Sequence, residues 1–219
     1  GTRRLRAHLW DHGYRIGRNR ARRLMRIMGL EAIYPKKHIC TSTPNKQHKK
    51  YPYLLRGITI DRPNQVWGTD ITYVRLEGGF CYLCVIMDWF SRYVLAWELS
   101  PSLDSSFCIA TLDRALAITT PEMHNSDQGV QYTSEDYTSI LKAHNVAISM
   151  DSRGRCFDNI FTERLWRTVK REDIYLKGYR TIDEARAGLD SFFSRYNTER
   201  RHESFGYRTP ASIYFGKAP

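Results

Sequence analysis

Asp70 stands inside Gln-Val-Trp-Gly-Thr-Asp-Ile-Thr-Tyr-Val (65–74), a run whose aromatic and β-branched residues predict a strand. Buried alone and ionised, such an acid costs far more than the strand gains. Its company therefore constrains what the chain can become. His-Asn-Ser-Asp-Gln-Gly (124–129) reads as the end of a second strand, which delivers Asp127. Asp-Asn-Ile-Phe-Thr-Glu-Arg (158–164) reads as the start of a helix carrying Glu163, with Asp158 as its N-cap. Thirty-five residues lie between Asp127 and Glu163. Acids converging on one point repel each other unless a hard divalent cation sits among them. Two such cations about 4 Å apart activate a water and steady the leaving oxygen in phosphoryl transfer. Asp70, Asp127 and Glu163 are accordingly the candidate catalytic and metal-binding residues.

Around these acids the periodicity sets an order of elements. Strands are predicted at 65–74, 80–88 and 93–99, with Glu77-Gly78-Gly79 and Asp88–Arg92 as the turns. A helix follows at 104–118, with Asp104 near its start and Phe107, Leu112 and Leu116 inward; Pro121 breaks it. A short strand at 122–126, a helix from Ser134 to about His144 and a last strand at 146–149 complete the pattern. Meander strands followed by alternating helix and strand are the order of an RNase H-like fold: an α/β, mixed five-stranded sheet flanked by helices. In that fold the acid of the first strand and the acid at the end of the fourth lie side by side, an expectation by analogy.

The helix at about 159–171 places Phe161, Leu165 and Val169 on one stripe, and Glu163, Arg167 and Lys170 on the other side. Glu163 and Arg167 are also spaced i,i+4, so a plain surface ion pair accounts for that face equally well until Asp70 and Asp127 are considered with it. Asp151 to Phe157, with Arg153 and Arg155, reads as a polar loop over a substrate. Ile182 to Asn197 is predicted as an amphipathic helix that covers the core with Leu189, Phe192, Phe193 and Tyr196. The stretch 196–210, with Arg200, Arg201 and His202, is basic and turn-rich.

Ahead of the sheet, Thr2 to Trp10 and Arg20–Met28 are predicted as two short helices joined by a turn at Asp11-His12-Gly13. Asn19 is the expected N-cap of the second and Gly29 its C′ residue, with Leu24, Ile27 and Met28 as the inner face. Arg20, Arg22, Arg23 and Arg26 line the remainder. The pair fits a small all-α helix-turn-helix reading a duplex groove, and equally an ordinary helical hairpin with a charged exterior. His8 and His12 are spaced i,i+4, but a zinc site there lacks a fourth ligand, so they read as solvated. Pro35 to Lys50, with Lys36 and Lys37, reads as an extended basic linker that suits a phosphate backbone. The expected domains are 1–34 for the helix-turn-helix, 35–60 for the linker and 61–219 for the sheet domain.

Charge segregates along the chain in the same way. The net charge is +12 over residues 1–50, −6 over 51–152 and +5 over 153–219, which together make the chain's +11. A basic arm, an acidic centre and a basic end suit a polyanion gripped on the flanks and cut in the middle; solubility alone is the blander explanation. Five cysteines disfavour a disulfide framework. Cys81 and Cys84 form a CxxC, but strand alternation points their sulfurs to opposite faces, so they read as core thiols of a reducing compartment. No apolar run approaches the roughly 20 residues of a membrane helix. The chain does not begin with Met, which suggests a truncated or processed start.

Read together, several motifs carry a resemblance. They are Val-Trp-Gly-Thr-Asp-Ile-Thr-Tyr (66–73), Asp-Trp-Phe-Ser-Arg (88–92), Asn-Ser-Asp-Gln-Gly (125–129), Gln-Tyr-Thr-Ser (131–134), Asp-Asn with Glu-Arg (158–164), and Tyr-Asn, Arg-Arg-His, Gly-Tyr and Pro across 196–210. In this order the chain resembles the OrfB (DDE) transposases of the IS-three family of bacterial insertion sequences, which are similar to retroviral integrases. The resemblance implies that Asp70, Asp127 and Glu163 are a metal-binding triad. It implies that Lys170, seven residues after Glu163, contacts DNA near the cut. Arg164, Arg167, Arg153, Arg155, the arginines of the second helix, Lys36, Lys37, Arg200, Arg201 and His202 are the other candidate DNA contacts.

The implied chemistry is 3′-end cleavage and strand transfer with two Mg²⁺ ions (Mn²⁺ as a substitute) through a circular DNA intermediate. The implied partners are double-stranded DNA, as terminal inverted repeats and target, further copies of the chain on that DNA, and an upstream OrfA segment. The implied location is the cytoplasm, at the nucleoid. Phe157 stands where Trp is common and Arg155 where Asn is common, both outside the triad. A non-catalytic DNA-binding protein of the same fold, or a nuclease that cuts without joining, are the alternatives. Three retained, mutually repelling acids argue against the first, and the basic arm against the second.

Overall fold

The structure, a computed structural model, describes residues 2–30, 49–151 and 160–216. The chain divides into two compact units, 1–43 and 44–219.

In the first unit, α1 (Thr2–Asp11) and α2 (Arg18–Ile27) are joined by a turn whose Gly13 has φ +84°. The Trp10 indole donates to the Ile16 carbonyl at 2.9 Å, and the guanidinium groups of Arg6 and Arg15 lie 4.8 and 5.2 Å from its ring centroid. Gly29, at φ +65°, ends α2 as expected. Two expectations fail. The N-cap is Gly17 in extended conformation, and Asn19 lies within the first turn of α2. Leu24, Ile27 and Met28 are 37%, 67% and 58% exposed, while Ala21 is fully buried and Met25 partly so. The reason is geometric: a two-helix hairpin has one contact line, and Ala21 with Met25 occupies it at i,i+4. Burying that line starts the helix earlier and outweighs a cap worth about 1 kcal/mol.

In the second unit the sheet order is β3-β2-β1-β4-β5, built from β1 (Val66–Leu76), β2 (Gly79–Asp88), β3 (Val94–Ser100), β4 (Met123–Ser126) and β5 (Ala147–Met150). The first three strands form an antiparallel meander; β4 runs parallel to β1, and β5 parallel to β4. Helices α3 (Ser106–Leu116), α4 (Val130–Thr133), α5 (Glu135–Ala143), α6 (Ile160–Val169), α7 (Tyr175–Lys177), α8 (Ile182–Thr198) and α9 (Pro210–Tyr214) surround it. This is the RNase H-like arrangement read from the element order. Ser134 caps α5, its hydroxyl accepting from the Tyr137 amide. Asp104 lies just ahead of α3 and accepts from the Ser106 amide at 3.0 Å.

The helix expected to stop near residue 171 instead continues from α6 through a π-helical turn, Lys170–Ile174, into α7. The burial of Asp173 and Ile174 that accompanies this turn has no periodic signature in the sequence. The short α4 and α9 were also not anticipated. The expected cap Asp158 lies outside the described residues.

The sheet is buried on both faces, and the parity of β1 sorts its side chains between them. Val66 and Val74 join the core made by Leu165, Val169, Leu189 and Phe192 from α6 and α8. Trp67 joins the core made by Phe107, Leu112 and Leu141 from α3 and α5. Cys81 and Cys84 fall in opposite cores, as alternation requires. Asp70 shares parity with Val66 and Val74, so it faces α6. Gly68 does too, and a Cβ there would sit 2.0 Å from the Trp89 indole nitrogen, which explains the glycine.

Candidate active site

Asp70 emerges partly buried from the middle of β1. Its Oδ1 accepts from the Ile71 amide at 2.8 Å, and its Oδ2 from the Trp166 indole, also at 2.8 Å. Trp166 lies on α6, three residues after Glu163, and is 7% exposed. The indole thus ties the helix that carries one candidate acid to the strand that carries another. Burial pushes the Asp70 carboxyl up to about 7; the Trp166 hydrogen bond opposes this, and the charges of Asp127 and Glu163 add to it. Residues distant in the chain therefore act on one carboxyl through space.

Asp127 follows β4. The loop that holds it is fixed by Gln128 donating to the Asp151 carbonyl at 2.9 Å and Asn125 donating to the Asp151 carboxylate at 2.8 Å. The Gly129 amide donates to Asp127 Oδ1 at 2.8 Å, and a Cβ at Gly129 would meet the same oxygen at 2.8 Å. The side chain reaches solvent at the mouth of the site, yet the crowded protein around it raises its carboxyl, with the Gly129 amide opposing. Glu163 is exposed on the first turn of α6. It forms no ion pair with Arg167 among the described residues, so the surface-pair explanation of that face is not what the structure has.

Among the described residues no group of three His, Cys, Asp or Glu side chains stands close enough together to hold a metal ion. The single cage expected from the sequence is therefore not formed among the described residues, although the charges of Asp127 and Glu163 both act on Asp70. The donor set nevertheless fits a hard cation. It consists of carboxylate oxygens, and the nearest one to be buried is destabilised by its anionic neighbours, a condition that a divalent ion relieves.

The candidate DNA contacts divide. Arg20, Arg22, Arg23 and Arg26 are exposed on α2, Arg164 and Arg167 are exposed on α6, and Lys170 is half-buried. Arg200 is engaged with both oxygens of Glu172, at 2.9 and 2.7 Å. Arg201 is exposed and donates to the Tyr207 carbonyl at 3.2 Å. His202 is pushed down to about 4 by burial and by the cations Arg200, Arg92 and Arg164. Arg153, Arg155, Lys36 and Lys37 lie outside the described residues. One residue with a place at the site had no assigned role in the sequence: Trp166. Trp166 was findable in principle, because a residue three after Glu163 with an apolar body and one donor can meet both core and carboxylate.

Comparison with known proteins follows the same division of the chain. Residues 60–156 and, overlapping them, residues 144–210 match two family models that each describe an integrase core domain, and residues 1–38 match an HTH-like domain. The transposase for insertion sequence element IS629 of Shigella sonnei is 32% identical over 213 residues, 96% of this chain and 72% of that protein. Transposase InsF for insertion sequence IS3A of Escherichia coli K12 is 35% identical over 152 residues, 68% of this chain and 53% of that protein. The catalytic core domain of HTLV-2 integrase, solved in complex with magnesium, superposes with a TM-score of 0.58 at 18% identity, over 70% of this chain and 97% of that one.

Proposed function

The chain belongs to the transposases of IS3-family insertion sequences, and from that premise we propose that Asp70, Asp127 and Glu163 are the acids at which it cuts and rejoins DNA. It is a polynucleotidyl transferase with an integrase core and an HTH-like DNA-binding region. Among the described residues no helix is long and apolar enough to cross a membrane. The observation that carries the proposal is the 2.8 Å hydrogen bond from the Trp166 indole to Asp70, which docks the helix bearing Glu163 on the strand bearing Asp70.

Asp70 and Asp127 would hold a divalent ion between strand β1 and the loop after β4, and Glu163 would join them from α6. When bound, two Mg²⁺ ions supply an activated water or 3′-hydroxyl and stabilise the leaving oxygen. The protein's own part is orientation. Trp166 and the Ile71 amide fix the Asp70 carboxylate, and the Gly129 amide fixes Asp127. Lys170, Arg167 and Arg164 present cations along the same helix to the phosphates of the DNA end, and the arginines of α2 present theirs to a duplex. The substrate would be the inverted repeats that end the element, the first product a freed 3′-hydroxyl, and the second a joined strand, with circular DNA between excision and insertion. Several copies on one DNA, with an upstream OrfA segment, at the nucleoid, complete the reading.

A strand-transfer assay on labelled element-end DNA tests it. Glu163→Gln is expected to lose cleavage and joining while it still binds DNA. Joining that persists in this variant removes Glu163 from the mechanism. Cleavage without joining by the unaltered chain makes it a nuclease.

A further inference from the structure

Beside the first turn of α6 lies a cleft of about 640 Å³. That volume lies within the roughly 300–1,000 Å³ of ligand clefts. Phe90, Phe161 and Phe205 give it aromatic walls, and Arg92 and Ser204 supply its polar groups. Arg92 is held at φ +63°, its amide donating to the Asp88 carbonyl at 2.8 Å. Its guanidinium carbon lies 3.2 Å from the centroid of Phe161 and 5.9 Å from that of Phe205. Its Nη1 is buried and has no hydrogen-bond partner.

The charge around this cleft is unbalanced. Arg92 and Arg164 act on each other, and both act on Tyr196 and His202. The carboxylates within reach are already committed. Asp88 accepts from the Asn64 amide at 2.7 Å and from Ser91, and Glu172 is engaged by Arg200. Neither Arg92 nor Arg164 forms an ion pair among the described residues. A buried guanidinium donor without a hydrogen-bond partner is costly and invites an acceptor, which an anion supplies best.

Aromatic faces beside an arginine with a free donor are the means by which proteins hold a single nucleotide of an unpaired strand. A base stacked in a duplex cannot enter such a cleft, whereas an unstacked one can. We propose that the cleft between Phe161, Phe205 and Arg92 takes one unstacked nucleotide of the DNA substrate, its base against the phenyl rings and its phosphate on Arg92 and Arg164. The site rests on the DNA-transfer reading, because Ile160 and Phe161 of the cleft precede Glu163 by less than one turn. DNA held at Glu163 would lie within about one helical turn of the cleft.

The test measures binding by the full chain without divalent ions. The probes are a short duplex with one unpaired 2-aminopurine nucleotide, the same duplex fully paired, and the same duplex with an abasic site at the unpaired position. The unpaired base is expected to improve affinity over the paired duplex by roughly 10-fold, with its fluorescence quenched on binding. The abasic probe should lose most of that gain. Phe205→Ala, with an unchanged melting temperature as the control for folding, should erase the preference and leave the paired duplex bound as before. Arg164→Ala should weaken the base-bearing and abasic probes alike. Equal affinity for paired and unpaired probes overturns the site, as does a preference that survives Phe205→Ala. A gain kept in full by the abasic probe means that only phosphates are held, and also overturns it. With no divalent ion present, failure of strand transfer and failure of this site are separate results.

Discussion

Two acids stand on the β1–β2 ladder and meet opposite treatment. Asp88 pairs across from Trp67, and Asp70 across from Val85. Asp88 is fully buried, but the amides of Asn64 and Ser91 and the Ser91 hydroxyl all donate to it, and Arg92 attracts it. Burial still raises its carboxyl, though everything near it works the other way. Asp70 has two donors as well, but burial takes it up to about 7, and the charges of Asp127 and Glu163 add to that rise. Both acids are buried in part or whole. What separates them is the sign of their company. Asp88 is wrapped in donors, as an acid that holds a fold together should be, whereas Asp70 sits in a field that a proton or a divalent cation relieves, as the proposed role requires.

The comparison makes ordered predictions. Asp70→Asn should cost strand transfer roughly 10⁴-fold while leaving the melting temperature unchanged or higher, because a repelled buried charge is removed. A fall in melting temperature with activity retained would reverse the two roles. Trp166→Phe should reduce turnover by roughly 10–100-fold, with DNA affinity unaltered in a gel-shift titration. A loss confined to affinity would show that the indole does not orient Asp70.

Asp88→Asn should cost about 1–3 kcal/mol of stability in urea unfolding, because its amide turns a donor toward donors. The folded fraction should keep full strand transfer. His124 extends the structural class to β4: it is buried, meets the Tyr137 hydroxyl at 2.9 Å, and burial pushes its imidazole from 6.5 to about 3. The unfolded chain takes up a proton below pH 6.5 that the folded chain refuses. Stability is therefore full above that pH and falls below it, by up to about 1.4 kcal/mol per pH unit. Urea melts at pH 7 and pH 5 should show the drop, and His124→Gln should flatten it.

Much of this was legible before any coordinates. The runs rich in aromatic and aliphatic residues predict the strands of the meander, with bounds shifted by one or two residues, because strands buried on both faces keep that composition even without alternation. The parity of Asp70 with Val66 and Val74 could be read directly. Three things could not. The arginine-rich α2 has more apolar residues than one helix contact can cover, so its inner face was misassigned. The π-turn after Val169 follows from where Asp173 and Ile174 are buried, and neither residue announces it. The cleft at Arg92 joins the β2–β3 turn, α6 and the turn at Glu203–Phe205, a meeting fixed by tertiary packing alone. The triad was legible as three acids, but its degree of closure was not, since Glu163 remains exposed while Asp70 is drawn inward.

The parallel pairing of β1 with β4 has a consequence for synthesis. The meander can close as soon as β3 has left the ribosome, but Asp70 gains its neighbour Asp127 only after α3 and β4 have been made. Its anchor Trp166 comes later still, and the core of that face waits for α8. A nascent or prematurely terminated chain thus carries the basic arm without a working centre. On the proposed function, such a chain would hold the arm for DNA before the acids that cut it are assembled.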